Sequence, residues 1–344
     1  MARIGFWSAD SSGCCWYRCE LPAAALRSRG HEVTVSNLLT ELPGDCDVVV
    51  GQRVCLPGAS KGWAALSARG AQALIYELDD DLLNVDPSNG PAWDYFSRPD
   101  IRANIKRNIQ IADAVTCTTE PLAEKVKLLN TNVHVIPNFI PEELTRRSQF
   151  TSRKPAGSEP LTIGWAGGAS HAMDWAQADE QVARFIARTD TSEMHVMGWC
   201  PPDLWRRLPT GHRRYSPWVD SVPELYRRID FGVGVIPLRP HVFNQSKSDI
   251  KFRELSALGI PSIASDAGPY PSSIRHGETG FLVRRPHEWG TYLRELLDPN
   301  NRLEMGSRAR AAALSWTIEG NIELWESALL LPVSVPAAPR RLPS

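Results

Sequence analysis

Short apolar runs alternate with segments of helical periodicity from the start of the chain. In the first half, the apolar runs read RIGFW, EVTV, CDVVVG, ALIYEL, DAVTC and VHVIPN. Segments with helical spacing lie between them at 20–30, 61–70, 98–112 and 120–130. Runs rich in valine and isoleucine that alternate with helices are typical of βαβ units, in which helices cover both faces of a parallel sheet. The pattern therefore predicts an α/β fold.

The alternation stops at 141–160 and then starts again. This stretch is polar, contains three prolines and has no hydrophobic period, which is typical of a linker between domains. After it come the runs LTIGWAGG, MHVMGW, FGVGVIPL, PSIASD and GFLV. A chain of 344 residues is also too long for one ordinary core. We therefore predict two Rossmann-like domains, at 1–150 and 151–315.

The end of the chain carries a further predicted helix at 316–331. Its apolar stripe consists of Ile318, Ile322, Trp325 and Leu329, which recur at helical spacing. A stripe of this kind has to be buried, so we expect the helix to pack back on the first domain. The remaining residues, 332–344, have low complexity and are predicted to form a flexible tail.

Charge and hydropathy exclude several classes of protein. Acidic and basic residues balance to a formal net charge of −1, which disfavours both a disordered chain and a protein that coats polyanions. No apolar run approaches the ~20 residues that a membrane-spanning helix needs. The N-terminus also lacks the charged and apolar regions of a signal peptide. We expect a cytoplasmic protein with no stable membrane insertion.

The most informative segment is 233–283, VGVIPLRPHVFNQSKSDIKFRELSALGIPSIASDAGPYPSSIRHGETGFLV. It consists of a strand, a polar loop, a helix with Lys251 and Glu254, a Gly-Ile-Pro turn, a buried strand and the motif HGETGFLV. This segment resembles the donor-binding half of GT-B glycosyltransferases, specifically the large retaining family called glycosyltransferase group 1 or GT4-like. The resemblance implies a GT-B fold, in which two Rossmann-like domains face each other across a cleft.

The resemblance implies donor-binding roles for several residues of this helix and its start. A nucleotide diphosphate sugar carries phosphate charge, which cations and the N–H groups of a helix N-terminus bind well. The expected helix start supplies Ser246, Lys247 and Ser248. Lys251 lies four residues after Lys247 and is expected on the same helix face. Glu254 occupies the position at which the family accepts hydrogen bonds from the ribose hydroxyls.

The segment IGWAGGASHAMDW after the linker predicts a strand, a glycine loop and a helix start. Gly167 and Gly168 allow the backbone to approach a ligand closely. The other donor contacts that the resemblance implies come from Ser170, His171, Asp174 and the backbone near Val219. The arginine and lysine that the family has in this loop are missing, so we expect His171 and the nearby lysines to supply the positive charge.

Four carboxylates follow one apolar run of the first domain: Glu77, Asp79, Asp80 and Asp81. Ligands lie beyond the carboxyl ends of parallel strands, where the loop after the first strand also emerges. Three interpretations stay open: acceptor recognition by carboxylates, a divalent metal on Asp79 and Asp81 as a DxD motif, and a solvated turn with an Asp cap. The two-domain pattern favours acceptor recognition over the metal, so no metal site is predicted.

The loop SSGCCWYRCELP, after the first strand, combines three cysteines with an arginine flanked by aromatic residues. The cysteines form no CxxC pair and have no histidine at a zinc-like spacing, which disfavours a metal site. We therefore expect the loop to face the acceptor. The acceptor-side candidates are Gly13, Trp16, Tyr17, Arg18, Glu77 and Asp79.

The resemblance implies a hexosyltransferase-type enzyme that moves a sugar from a UDP- or GDP-sugar to an acceptor with retention of configuration. Its candidate catalytic residues are Lys251, Glu254, Asp79 and Asp80. No cofactor is expected, since the nucleotide sugar is a substrate. The acceptor stays open between a glycan, a small molecule, a protein and a modified DNA base. Alternative functions are a nucleotide-sugar epimerase or hydrolase of the same fold, and a non-catalytic binder of sugar nucleotides.

Overall fold

The structure is a computed structural model that describes residues 1–146 and 160–330. Contacts between Cα atoms divide the described residues into two compact units. Unit 1 comprises 1–139, 246–248 and 318–330, and unit 2 comprises 140–146, 160–245 and 249–317. Most of the predicted linker, from 147 to 159, and the predicted tail at 332–344 lie outside the described residues.

Unit 1 ends earlier in the chain than the predicted domain boundary. Ile140 forms a parallel β-bridge with Thr317. The Arg310 Nε donates a hydrogen bond to the backbone oxygen of Thr145 at 3.0 Å. These contacts hold the start of the predicted linker in unit 2.

Unit 1 is built on a sheet of six parallel strands. The strands are β1 (Arg3–Trp7), β2 (Glu32–Ser36), β3 (Val48–Gln52), β4 (Ala73–Leu78), β5 (Ala114–Cys117) and β6 (Val133–Val135), in the order β2-β1-β3-β4-β5-β6. The helical segments are Gly13–Cys15, the π-helical turn Trp16–Glu20, Leu21–Ser28, the 3₁₀ turn Leu39–Glu41, Pro57–Arg69, Gly90–Phe96, Pro99–Gln110, Glu120–Val126 and Ile318–Leu330. Every apolar run predicted in the first half forms one of these strands.

Unit 2 repeats the same architecture. Its parallel strands are β7 (Leu161–Gly167), β8 (Ser192–Gly198), β9 (Arg213–Ser216), β10 (Val233–Ile236), β11 (Ser262–Ser265) and β12 (Gly280–Val283), in the order β12-β11-β10-β7-β8-β9. The α-helices are Glu142–Arg146, Asp179–Ile186, Pro202–Arg207, Val222–Arg228, Val242–Gln245, Ile250–Ala257, Tyr270–Ser273, Glu288–Glu295 and Pro299–Ala313. The 3₁₀ turns are Ala169–His171, Trp175–Gln177, Thr210–His212 and Leu314–Trp316. The predicted α/β class with two Rossmann-like units is confirmed, and only β9 was missed, because this edge strand reads RRYS and carries no apolar run.

The terminal helix belongs to unit 1. It spans Ile318–Leu330, and its predicted apolar stripe is buried. The Trp325 ring lies edge-on to Phe6 of β1, with 5.9 Å between ring centroids. This contact explains why the stripe exists. Among the helices in the described parts of the chain, none is long and apolar enough to cross a membrane.

The strand order reverses once in each sheet. The reversal lies between β1 and β3 in unit 1, and between β7 and β10 in unit 2. Open parallel sheets bind ligands outside the carboxyl ends of their strands at such a reversal, because the connections leave in opposite directions and open a crevice there. The residues that follow these four strands are therefore the first place to look for a site.

Two paired glycines in unit 2 make room for the packing that surrounds its strand reversal. Gly164 of β7 pairs with Gly234 of β10. A Cβ atom on Gly164 would lie 1.8 Å from the Cγ of the buried Phe231, and one on Gly234 would lie 2.4 Å from a methyl group of Leu255. Leu255 belongs to the helix Ile250–Ala257, so the absence of these Cβ atoms lets that helix sit close to the sheet.

Replacing Gly164 by alanine is expected to reduce the free energy of unfolding by about 1–3 kcal/mol or more, because the Phe231 ring has to move out of a filled core. Gly58→Ala is the matched control, since Gly58 lies in an exposed helix where a Cβ atom meets nothing within 4 Å. Urea denaturation measures both variants. Equal stability of Gly164→Ala and the wild type would contradict the packing described for this sheet.

Candidate active site

The Lys251 side chain reaches the carboxyl end of β7. Its Nζ donates a hydrogen bond to the backbone oxygen of Ala166 at 2.7 Å and lies 6.0 Å from the centroid of the Trp165 ring. A Cβ atom on Gly167 would lie 3.1 Å from the same Nζ and 2.7 Å from the Trp165 ring. The glycine at 167 therefore leaves the space that the lysine occupies.

Glu254 follows Lys251 by three residues on the same helix, so both side chains lie on one helix face. Both line a pocket together with the last residues of the two strands at the reversal. The strand residues of this pocket include Trp165, Ala166, Val235 and Ile236. A cation and a carboxylate thus share one pocket at the place where the fold favours ligand binding.

The predicted position of Lys247 on this helix is wrong. The helix begins at Ile250, after Asp249, whose carboxylate accepts hydrogen bonds from Arg253 Nε at 2.7 Å and Ser273 Oγ at 2.6 Å. Lys247 precedes the helix, so the spacing of four residues from Lys251 does not place the two lysines on one helix face. The same holds for the predicted helix start at 246–248.

Residues 246–248 make their contacts within unit 1. Ser246 is fully buried, and its Oγ accepts a hydrogen bond from Lys125 Nζ at 2.9 Å. Its backbone oxygen accepts one from Thr119 Oγ1 at 3.0 Å. The Lys247 Nζ lies 4.0 Å from Asp80 Oδ1. The structure therefore separates Ser246, Lys247 and Ser248 from Lys251, with which the sequence grouped them.

The glycine loop after β7 contains a buried histidine–aspartate pair. The 3₁₀ turn Ala169–His171 follows Gly168, with Ser170 exposed and His171 buried. The Nδ1 atom of His171 lies 2.8 Å from Asp174 Oδ2, and its ring lies edge-on to Trp165 at 6.2 Å. Both His171 and Lys251 therefore contact the same indole.

Val219 lies at the carboxyl edge of the same sheet, just after β9. It is half-buried, and the neighbouring Trp218 is 54% exposed. The Trp218 ring packs on Gly198 at the end of β8, where a Cβ atom would lie 2.8 Å from the ring. Contact between Val219 and a nucleotide base stays a prediction.

Unit 1 carries a cluster of charges at its own strand reversal. Arg53 directly follows β3, and its guanidinium lies 2.5 Å from Asp79 Oδ1, 3.5 Å from Asp10 and 3.8 Å from Asp80. Burial favours neutral Asp79, but the charge of Arg53 outweighs it and lowers the pKa of Asp79. Burial raises the pKa of Asp80, and the charge of Lys247 opposes this.

Arg53 is a candidate functional residue that the sequence analysis missed. The signal was present, because a charged residue that directly follows a buried parallel strand lies at the ligand edge. Its backbone has a φ of 54°, a left-handed conformation that side-chain-bearing residues adopt rarely and that is enriched at functional sites. The same reasoning that selected Asp79 would have selected Arg53.

The third aspartate of the acidic run is also paired with a base. Asp81 lies 2.6 Å from Lys125 Nζ and accepts hydrogen bonds from Asn84 Nδ2 at 2.9 and 3.0 Å. The two carboxylates of the DxD alternative, Asp79 and Asp81, are therefore each held by a basic side chain. No group of three or more His, Cys, Asp and Glu residues suited to a metal occurs in the part of the chain that the structure describes.

The predicted exposure of Arg18 to an acceptor is wrong. Its side chain is fully buried, donating from Nε to Glu77 Oε1 at 2.6 Å and from Nη1 to the backbone oxygen of Ile136 at 2.7 Å. Its guanidinium also stacks on Trp325, 4.9 Å from the ring centroid. Burial raises the pKa of Glu77 to about 7, although the charge of Arg18 acts against this. Arg18 and Glu77 therefore connect β4 and the terminal helix, and neither is presented to a ligand.

The other residues of the first loop differ in burial. Gly13, Trp16 and Tyr17 are half-buried, and the two aromatic rings lie edge-on with 4.7 Å between centroids. The three cysteines of the loop are free thiols, with Cys15 and Cys19 buried. The thiols therefore pack as small apolar side chains, and the half-buried residues stay candidates for acceptor contact.

A hydrogen-bond chain in unit 2 has the connectivity of a Ser-His-Asp triad. The His195 Nε2 lies 2.8 Å from Ser216 Oγ, and its Nδ1 lies 2.8 Å from Asp230 Oδ1. Asp230 is also bound by Arg214, and although burial opposes it, the hydrogen bonds from His195 and Arg214 lower the pKa of Asp230 to about 2. His195 lies inside β8 and is only 2% exposed, so we interpret the chain as a link between β8, β9 and the turn before β10.

Comparison with known families assigns the second unit. The family model described as Glycosyl transferases group 1 matches residues 161–299, a range that contains all six strands of unit 2 together with Lys251 and Glu254. This part of the chain belongs to the glycosyl transferases group 1 family. The resemblance read from the motif at 233–283 is thereby confirmed. No curated protein matches the chain significantly in sequence.

Solved structures of similar fold are GT-B glycosyltransferases. HepE from Anabaena, solved with UDP, has a TM-score of 0.66 and 14% identity, covering 96% of this chain and 100% of that one. Sucrose-phosphate synthase from Thermosynechococcus elongatus has a TM-score of 0.64 and 14% identity, covering 95% and 98%. The lipopolysaccharide outer core galactosyltransferase WaaB has a TM-score of 0.56 and 12% identity, covering 95% and 99%. At these identities the likeness shows the fold, which is GT-B.

Replacing Arg18 by alanine is expected to reduce the free energy of unfolding by about 3–5 kcal/mol, because Glu77 then stays buried without its cation. Arg98→Ala is the control, since the Arg98 pair with Asp100 is exposed and contributes less than about 1 kcal/mol. Urea denaturation of both variants gives the comparison. A second variant, Glu77→Gln, removes the charge from the other side, and wild-type stability in both Arg18→Ala and Glu77→Gln would refute the buried pair.

Proposed function

We propose that this protein is a glycosyltransferase that moves a sugar from a nucleotide diphosphate sugar to an acceptor. The observation that carries the proposal is the shared pocket of Lys251 and Glu254 at the strand reversal of unit 2. An ammonium group there suits a diphosphate, and a carboxylate suits the two hydroxyls of a ribose because it accepts two hydrogen bonds. The family match over 161–299 supports the same activity independently of the pocket.

The proposed donor is a UDP- or GDP-hexose. HepE, which shares the fold, has been solved with UDP and with UDP-glucose, so UDP-hexoses are the first donors to test. The residues proposed to hold the donor are Gly167, Gly168, Ser170, His171, Val219, Lys251 and Glu254. The proposed catalytic role of Lys251 is to stabilise the negative charge that develops on the departing diphosphate.

The proposed reaction retains the configuration of the sugar. The acceptor oxygen forms a bond to the anomeric carbon on the face from which the diphosphate oxygen leaves, and the proton of the acceptor hydroxyl passes to that leaving oxygen. This step needs no group other than the donor, the acceptor and the residues that hold them. Both Asp79 and Asp81 are paired with basic side chains, which supports a reaction without a bound metal.

The acceptor is proposed to bind at the strand ends of unit 1. Asp80 has a partly accessible side chain there, and Gly13, Trp16 and Tyr17 are half-buried. Arg18 and Glu77 are left out of this site because both are fully buried. The chemistry of these groups fits hydroxyl-bearing acceptors and does not choose between a glycan, a small molecule, a protein and a modified DNA base.

A panel of nucleotide sugars, with released nucleotide as the readout, tests the proposal. Release that depends on added cell extract, together with sugar recovered on a component of that extract, is the expected result. Consumption of the donor without extract would favour an epimerase or a hydrolase. Binding of the donor without any release of nucleotide would favour a non-catalytic binder.

Replacing Lys251 by alanine is expected to lower turnover at least ~100-fold, the effect of removing one donor that stabilises developing negative charge. Lys127→Ala is the matched control, because Lys127 is an exposed lysine of unit 1 paired with Glu124. Nucleotide release under saturating donor measures both. Unchanged turnover in Lys251→Ala would remove Lys251 from the catalytic residues.

Chelation is expected to leave the activity unchanged, because the carboxylates of the DxD alternative are already neutralised by Arg53 and Lys125. The measurement is nucleotide release in excess EDTA compared with the same protein in manganese. Activity that disappears in EDTA and returns with manganese would overturn the metal-independent reaction and favour a metal on Asp79 and Asp81.

A further inference from the structure

The Asp174 carboxylate is a buried hydrogen-bond acceptor with three donors. It is 3% exposed. Its Oδ2 lies 2.8 Å from His171 Nδ1, while its Oδ1 accepts from the backbone N–H of Arg239 and from Asn244 Nδ2, both at 3.0 Å. Both oxygens of this carboxylate are therefore engaged by groups of unit 2.

These contacts join the two loops that leave the strand reversal. His171 and Asp174 belong to the loop after β7, and Arg239 and Asn244 belong to the loop after β10. Asn244 also donates from Nδ2 to the backbone oxygen of Arg239 at 3.0 Å, which closes the second loop on itself. One carboxylate thus fixes both walls of the place where the fold favours a ligand.

The histidine held by Asp174 lies beside the candidate catalytic lysine. The His171 ring is edge-on to Trp165 at 6.2 Å, and Lys251 Nζ lies 6.0 Å from the centroid of the same indole. Two side chains that are able to carry positive charge therefore contact one residue at the end of β7. This arrangement suits a ligand with more than one negative charge.

A carboxylate at one ring nitrogen determines the state of the other. Because Asp174 is an acceptor, it keeps a proton on His171 Nδ1 and stabilises the charged imidazolium. Only the imidazolium donates from Nε2 while Nδ1 stays bonded to the carboxylate. An imidazolium held between a carboxylate and a phosphate makes a charge-assisted hydrogen bond to each of them.

We propose that Asp174 is a positioning residue that acts through His171, holding the imidazole as a cation that binds the diphosphate of the nucleotide sugar. The proposal rests on the proposed function, and it replaces the arginine and lysine that the glycine loop lacks with a histidine–aspartate pair. Lys251 and His171 then bind the diphosphate together.

Asp174→Asn separates the role of Asp174 in holding the loops from its role toward His171. The Oδ1 of asparagine still accepts from Arg239 and Asn244, so the two loops stay joined. Its Nδ2 then donates to His171 Nδ1, which removes the proton from that nitrogen and leaves a neutral ring. Asp190→Asn is the matched control, because Asp190 is an exposed residue that precedes β8.

The test compares UDP with uridine, or GDP with guanosine, by calorimetric titration of the full chain. In Asp174→Asn the Kd of the nucleoside diphosphate is expected to rise about tenfold, the effect of removing the charge from one hydrogen bond. The Kd of the nucleoside is expected to stay unchanged, since it carries no phosphate. Asp190→Asn is expected to match the wild type for both probes.

A double-mutant cycle tests whether Asp174 acts through His171. If it does, the combined variant Asp174→Asn with His171→Ala has the same Kd for the diphosphate as His171→Ala alone. Additive effects, or equal loss of affinity for nucleoside and diphosphate, would overturn the proposal and leave Asp174 a loop-holding residue only. Failure of the wild type to bind any nucleoside diphosphate would instead refute the proposed function, so the two failures are distinguishable.

Discussion

Strands that are buried on both faces can carry polar side chains only beyond their ends, and both units of this protein obey that constraint. In unit 2, Lys251, His171 and Asp174 gather where β7 and β10 end. In unit 1, Arg53 and Asp79 follow β3 and β4 in the same manner. The chemistry of each unit is therefore concentrated at one edge of one sheet, at the strand reversal.

The strands and the α/β class could be predicted because they depend on local patterns of valine and isoleucine. Only β9 escaped, since an edge strand such as RRYS needs no apolar residues. The candidate site was predicted less completely. Lys247 was misplaced because the helix begins three residues later than its charge pattern indicated, at Ile250. The start of a helix depends on the tertiary partners of residues such as Asp249, which no local pattern reveals.

The burial of Arg18 could not be read from its neighbours either. Its partner Glu77 lies 59 residues away in sequence, and the two meet only when β4 and the first helical segment pack together. An arginine between two aromatic residues is equally compatible with a ligand site and with a buried ion pair. Asp174 shows the opposite case, since its position in the glycine loop was predicted, whereas its bonds to Arg239 and Asn244 depend on a loop about 65 residues further on.

The central claim is that the strand reversal of unit 2 binds a nucleoside diphosphate. A crystal structure of the full chain grown with UDP, and a second with GDP, tests it most directly. The account predicts electron density for the diphosphate within hydrogen-bond distance of Lys251 Nζ and the His171 ring. Density for the diphosphate against Arg53 in unit 1, with none at the ends of β7 and β10, would contradict it.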